Sequence, residues 1–231
     1  MPDATDPAIV DALTRHYGKP EPPAWGLDPF EAIVATLLEP SHDASKRPRA
    51  LEALRDAGLL DPQPLAESDV AEIAEALRSA GVKVTEKALV PLRRLAQWLV
   101  DRHDGDADSL AGQDAAPSTE ALRAQLTAIK GIGPTLADTL LLLAFRRPVH
   151  PVDRPTYRVM SRHGWIDPSS DYDESRDAVE RLARDDPRGL ARFSAWFDRL
   201  GRDFCRATVA KCDACPLKPF LPEGGPIDPN A

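Results

Sequence analysis

Two glycines, one carboxylate and three cysteines are the residues of this 231-residue chain whose spacing can do chemistry. Gly131-Ile132-Gly133 stands between an apolar helix end, Leu126 and Ile129, and Pro134 at the first position of another apolar helix. A proline is tolerated there because its missing N–H has no intrahelical partner to lose. Glycines without Cβ can expose N–H groups at a helix N-terminus, where a phosphate oxygen is well received. Lys130, just before the hairpin, suits the same anion. Asp153 begins a second candidate helix. It is either an N-cap or a working carboxylate. Around it lie Arg146, Arg147, Arg154, Arg158 and Arg162, a basic island in a chain of net charge −8. Arg154, Arg158 and Arg162 fall at i, i+4 and i+8, one stripe of a helix. Cys205, Cys212 and Cys215 are spaced as metal-binding thiolates can be, and three cysteines cannot close a disulfide set.

In order, spacing and polarity, Gly131, Gly133, Ala137, Val152-Asp153 and Arg158-Val159 resemble the helix–hairpin–helix glycosylases of base-excision repair, the endonuclease III superfamily. Ala137-Asp138 and the run from Val152 to Arg158 are most similar to the monofunctional alkylbase branch. The likeness extends to Asp28-Pro29-Phe30-Glu31 and to Gly81–Ala88, and covers most of residues 25–221. It implies an all-α fold of two helical lobes. One is a six-helix lobe over 23–147 carrying the hairpin at about 120–146. The other joins 1–22 to 148–231 and carries Asp153 and a degenerate iron–sulfur loop over 205–221. It also implies that Asp153 stabilises the positive charge that grows on the sugar as the base leaves, or activates the attacking water. Gly131, Ile132, Gly133, Lys130, Arg154 and Arg158 are then the DNA contacts.

Three departures from the family pattern bear on mechanism. Lyase-competent members carry a Schiff-base lysine at the position of Thr135, and a threonine cannot form an iminium. The turn that wedges into the gap left by the extruded base reads Glu39-Pro40-Ser41-His42-Asp43, where Ser41 is short and His42 is the residue able to stack. The fourth cluster cysteine is replaced by Leu221, and no Cys or His follows in 216–231. A [4Fe–4S] cluster takes four thiolates as a rule. The expectation is therefore no cofactor, with a cluster held by a non-cysteine fourth ligand as the alternative.

Helical spacing of apolar residues runs through 7–17, 29–38, 44–57, 69–79, 85–102, 119–128, 135–146, 154–163, 173–184 and 188–204, with no β-type alternation. Segment 103–118 is expected to be a flexible polar connector and the tail from Pro219 to be extended. Trp25, Trp98, Tyr157 and Trp165 are the aromatics available to a base pocket, though aromatics usually pack. No apolar run approaches the ~20 residues that cross a bilayer, and the acidic start MPDATDP is no secretory signal. The expected protein is a cytoplasmic, nucleoid-associated monomer acting on double-stranded DNA with a damaged base. A lyase using another amine, Lys130 first, and a non-catalytic helix–hairpin–helix DNA-binding protein are the other readings.

Overall fold

A computed structural model describes residues 7–22, 24–38, 46–112, 114–115, 117–183 and 186–228. Ser41 and His42 lie outside the described residues. Among the described residues the chain forms eleven α-helices and no strand. It divides into two compact units, Pro23–Arg147 and Met1–Pro22 with Pro148–Ala231.

Unit Pro23–Arg147 holds α2 (Pro29–Leu37), α3 (Arg47–Asp56), α4 (Pro62–Glu67), α5 (Val70–Ser79), α6 (Glu86–His103), α7 (Thr119–Ala128) and α8 (Pro134–Leu143). Its helices start as their sequences dictate. Asp28 accepts from the Glu31 N–H at 2.8 Å with Pro29 at the first position, and Ser118 accepts from the Ala121 N–H at 3.3 Å. The core is aliphatic, with Ile33, Leu54, Leu65, Ile73, Leu77 and Leu89 fully buried. Helix α4 is absent from the periodicity reading because six residues, PQPLAE, are too few to display a period. It forms by laying Leu65 and Ala66 against α6.

The described residues of the segment expected to be a flexible connector are structured. Asp108–Leu110 makes a 3₁₀ turn with Ala107 and Leu110 buried, and Gly112 donates to the Phe145 carbonyl at 2.8 Å. Arg147, fully buried, holds it. Its Nε and one Nη donate to the Leu110 carbonyl at 3.1 and 2.7 Å, and the other Nη donates to the Pro117 carbonyl at 3.0 Å. A guanidinium taken out of water needs such acceptors.

The second unit holds α1 (Pro7–Tyr17), α9 (Arg154–Arg162), α10 (Tyr172–Ala183) and α11 (Pro187–Asp203). Its core is more aromatic. Phe193 meets Trp196 and Phe197 edge-on at 5.5 and 5.6 Å, over Ile9, Leu13, Val159 and Val179. Helices α9 and α11 come very close at Gly201, where a Cβ would stand 2.7 Å from Pro155 Cβ. The tail is docked rather than extended. Lys218–Phe220 is a 3₁₀ turn, and the Ile227 N–H donates to the Arg162 carbonyl at 3.0 Å.

Asp138 has no exposed side-chain surface, and Arg123 grips it through Nε at 2.6 Å and Nη at 3.3 Å. This pair ties α7 to α8 on either side of the glycine hairpin. Removing one partner strands a buried charge, so Arg123→Ala should cost about 3–5 kcal/mol in denaturant unfolding. Arg123→Ala/Asp138→Leu should recover most of that loss.

Candidate active site

The hairpin comes first, because its two glycines do different jobs. Gly131 has φ +105°, and a Cβ there would stand 3.0 Å from the Pro91 ring inside α6. It is glycine for conformation and for space. Gly133 is extended (φ −86°, ψ 176°), exposed, and open where a Cβ would point. Of the two, Gly131 alone adopts a backbone conformation that favours glycine. Gly133 is the N-cap of α8 and provides no capping side chain, and Pro134 follows. Ile132 is buried and anchors the turn, while Lys130 is exposed and its carbonyl accepts from Arg94 at 2.8 Å. Thr135 is half-buried in the first turn of α8.

Asp153 is half-buried at the start of α9, where its carboxylate accepts from the Thr156 N–H at 2.8 Å. Burial pushes its carboxyl above the usual aspartate range. The Thr156 bonds and the Arg158 charge pull it back, while Asp198 adds to the rise. The carboxylate borders an open hollow of about 460 Å³ with Arg154, Tyr157, Arg158, Tyr172 and Ser175, within the size range of small-molecule sites. Tyr157 is one wall, its hydroxyl donating to the Pro168 carbonyl. Tyr172 is another, its hydroxyl accepting from the Val152 N–H at 3.2 Å and so bracing the strand of chain that leads into Asp153. No motif flags Tyr172 or Ser175. They reach the hollow from α10, far along the chain.

His150, three residues before Asp153, is completely buried and held neutral, its pKa lowered to about 3 by desolvation. Its backbone N–H donates to Glu180 at 2.9 Å. Trp25 donates from Nε1 to the Leu142 carbonyl, Trp98 packs on His103 and Trp165 on His163.

The basic island is not the free cationic face that charge counting predicts. Arg147 and Arg162 are buried, Arg146 donates to the Trp25 and Leu27 carbonyls, and Arg158 donates to the Cys205 carbonyl at 3.1 Å. Arg154 is exposed and Arg158 half-exposed. Cys205, Cys212 and Cys215 line one small void together with Leu221.

No protein-family model matches the chain. It is 29% identical over 191 residues to a candidate DNA repair glycosylase of Methanocaldococcus jannaschii, covering 83% of this chain and 84% of that protein. Endonuclease III from a non-covalent complex with DNA shares the fold, with a TM-score of 0.70 at 19% identity over 97% of both chains. A 3-methyladenine DNA glycosylase of H. pylori, solved with 1,N6-ethenoadenine, matches at a TM-score of 0.62 and 20% identity, over 87% of this chain and 97% of its own. In sequence the chain is similar to a DNA repair glycosylase, and in fold to the helix–hairpin–helix glycosylases. The described residues include a helix N-terminus without a capping side chain, at Gly133, and a carboxylate, Asp153, beside a hollow.

The two glycines should separate in unfolding experiments. Gly131→Ala places a side chain at positive φ against a proline ring and should cost at least about 1–2 kcal/mol. Gly133→Ala should stay within about 0.5 kcal/mol of the parent.

Proposed function

We propose that this protein is a base-excision DNA glycosylase that hydrolyses the N-glycosidic bond of an alkylated base flipped out of duplex DNA, with Asp153 as its catalytic carboxylate. The observation that carries the reading is a half-buried Asp153 bordering an open hollow of about 460 Å³ between two tyrosines, Tyr157 and Tyr172. As the base departs the sugar gains positive charge, and a fixed carboxylate stabilises it or takes a proton from the attacking water. A low-dielectric setting strengthens that interaction. Flipping costs a few kcal/mol, and least for a damaged base.

Thr135 supports a hydrolytic rather than a covalent route, since its hydroxyl cannot form an iminium with the opened sugar. An alkylated purine is the substrate class we favour, because its cationic base leaves readily and asks least of the enzyme. The H. pylori relative of the same fold, named for 3-methyladenine, agrees with this choice. The hairpin serves the phosphates. The N–H groups of the α8 N-terminus favour an anion there through hydrogen bonding and the helix dipole. Among the described residues no helix is long and apolar enough to cross a membrane.

Asp153→Asn is the decisive variant, because asparagine caps a helix about as well as aspartate. It should preserve stability and hold duplex binding within about threefold, yet lower base release from alkylated duplexes by about 100-fold or more. Full excision by the variant would reduce Asp153 to a cap. Since burial raises the Asp153 pKa and only the ionised form works, the rate should fall as pH drops through that raised value. The acid limb should lie above the 3.8 of an ordinary aspartate, and should be absent from the residual activity of Asp153→Asn.

Borohydride added during turnover should trap no protein–DNA adduct, and product strands should break only on later alkali treatment. A trapped adduct would overturn the hydrolytic reading and make Lys130 the first residue to replace.

A further inference from the structure

Segment 148–152 delivers the chain to Asp153, and its sequence, PVHPV, leaves few N–H groups by which to hold it. Pro148 and Pro151 have none, so Val149, His150 and Val152 are its donors. Helix α10 takes two of them. The Val152 N–H donates to the Tyr172 hydroxyl at 3.2 Å, and the His150 N–H donates to Glu180 Oε1 at 2.9 Å. Glu180 is itself held, with Arg176 Nε 3.5 Å from the same oxygen. Its side chain is 18% exposed, so this charged acceptor works largely out of water, where hydrogen bonds are stronger. The helix behind it is fixed, since Ala178, Val179 and Leu182 are buried in the core of this unit. Glu180 does not border the hollow beside Asp153.

We propose that Glu180 is a positioning residue of the hydrolysis, one that sets the direction of the Asp153 carboxylate through the backbone of His150. The proposal rests on the reading of Asp153 as the catalytic carboxylate. The route is short and stiff. The His150 ring is fully buried and meets Phe197 edge-on at 6.3 Å, which fixes where the residue sits. The bond from its N–H to Glu180 fixes how its peptide plane is turned. His150 precedes a proline, which favours extended backbone angles at His150, and Pro151 has a locked φ. A rotation at His150 therefore passes on to Val152 and Asp153 with little room to be absorbed between them. The Thr156 N–H holds the carboxylate from the helix side, and α10 holds the chain that enters it. Groups that act on a bound sugar are sensitive to such placement, since an error of about 1 Å can cost about 100-fold in rate.

The test is base release from a methylated duplex by the full chain, in single turnover with protein in saturating excess, measured beside duplex affinity. Glu180→Ala should slow release by about 10- to 100-fold while affinity stays within about threefold. Glu180→Gln keeps an acceptor oxygen for the His150 N–H and should stay within about threefold of the parent rate. Glu180→Asp keeps the charge but draws the acceptor back by one methylene, and should be slow like the alanine variant. A role for the charge itself would give the opposite order, aspartate active and glutamine slow. Amide hydrogen exchange at His150 should quicken in the alanine and aspartate variants and stay at the parent rate in the glutamine variant. Circular dichroism checks folding, and if alanine does not fold the aspartate–glutamine comparison decides. A parent that releases base, matched in rate by Glu180→Ala or Glu180→Asp, overturns the positioning role alone. So does a Glu180→Gln protein as slow as the aspartate variant. A parent that releases no base, or an Asp153→Asn protein as fast as the parent, overturns the reading of Asp153, and this proposal falls with it.

Discussion

Carbonyl groups outside the helices are the constraint on which the rest of this structure turns. A helix satisfies its own carbonyls except the last four, and the irregular segments between helices have no ladder to supply donors. A buried carbonyl left unmade costs roughly 1–3 kcal/mol. Here arginines meet that need repeatedly. Arg147 spans the Leu110 and Pro117 carbonyls, Arg146 those of Trp25 and Leu27, and Arg94 takes that of Lys130 at the hairpin. In the other unit Arg158 and Arg162 hold the Cys205 and Arg206 carbonyls of the cysteine loop. The planar, five-donor guanidinium can reach two carbonyls at once, which an ammonium on a flexible stem does less well.

That constraint also explains what the sequence reveals and what it hides. Helices are legible because apolar spacing and caps are local. Asp28-Pro29, Ser118, Pro134 and Asp153-Arg154-Pro155 mark starts that the structure bears out. The all-helical fold follows from them, and the resemblance to helix–hairpin–helix glycosylases from the glycine hairpin. Segment 103–118 reads as a loose connector because its order comes from Arg147, some 30 residues or more away along the chain. The arginines of 146–162 read as a DNA-facing stripe because sequence gives charge and spacing but not the carbonyls each one meets.

At Asp153 a single carboxylate answers to opposing influences. The start of α9 and its Thr156 N–H favour the charged form, while burial and Asp198 disfavour it. A carboxylate resting in that balance is fixed in direction by the cap, yet less comfortably solvated than a surface aspartate. Both properties suit a group asked to respond to charge appearing on a neighbouring sugar. In the proposed hydrolysis the cap would be the device that aims the carboxylate.

Two prolines in this chain fit only because a glycine faces them: Pro91 against Gly131, and Pro155 against Gly201. A methyl on either glycine would press on the facing proline ring. At Gly201 the replacement carbon would lie closer to the proline than van der Waals contact allows, and at Gly131 the positive φ adds strain. Each pair is therefore an evolutionary ratchet. With the ring in place, replacing the glycine costs stability that it would not cost once the proline had left, so the order of substitutions matters as well as their sum. One such pair sits at the hairpin and the other beside the start of α9, so the two segments to which the proposal assigns chemistry are each held by a glycine–proline contact.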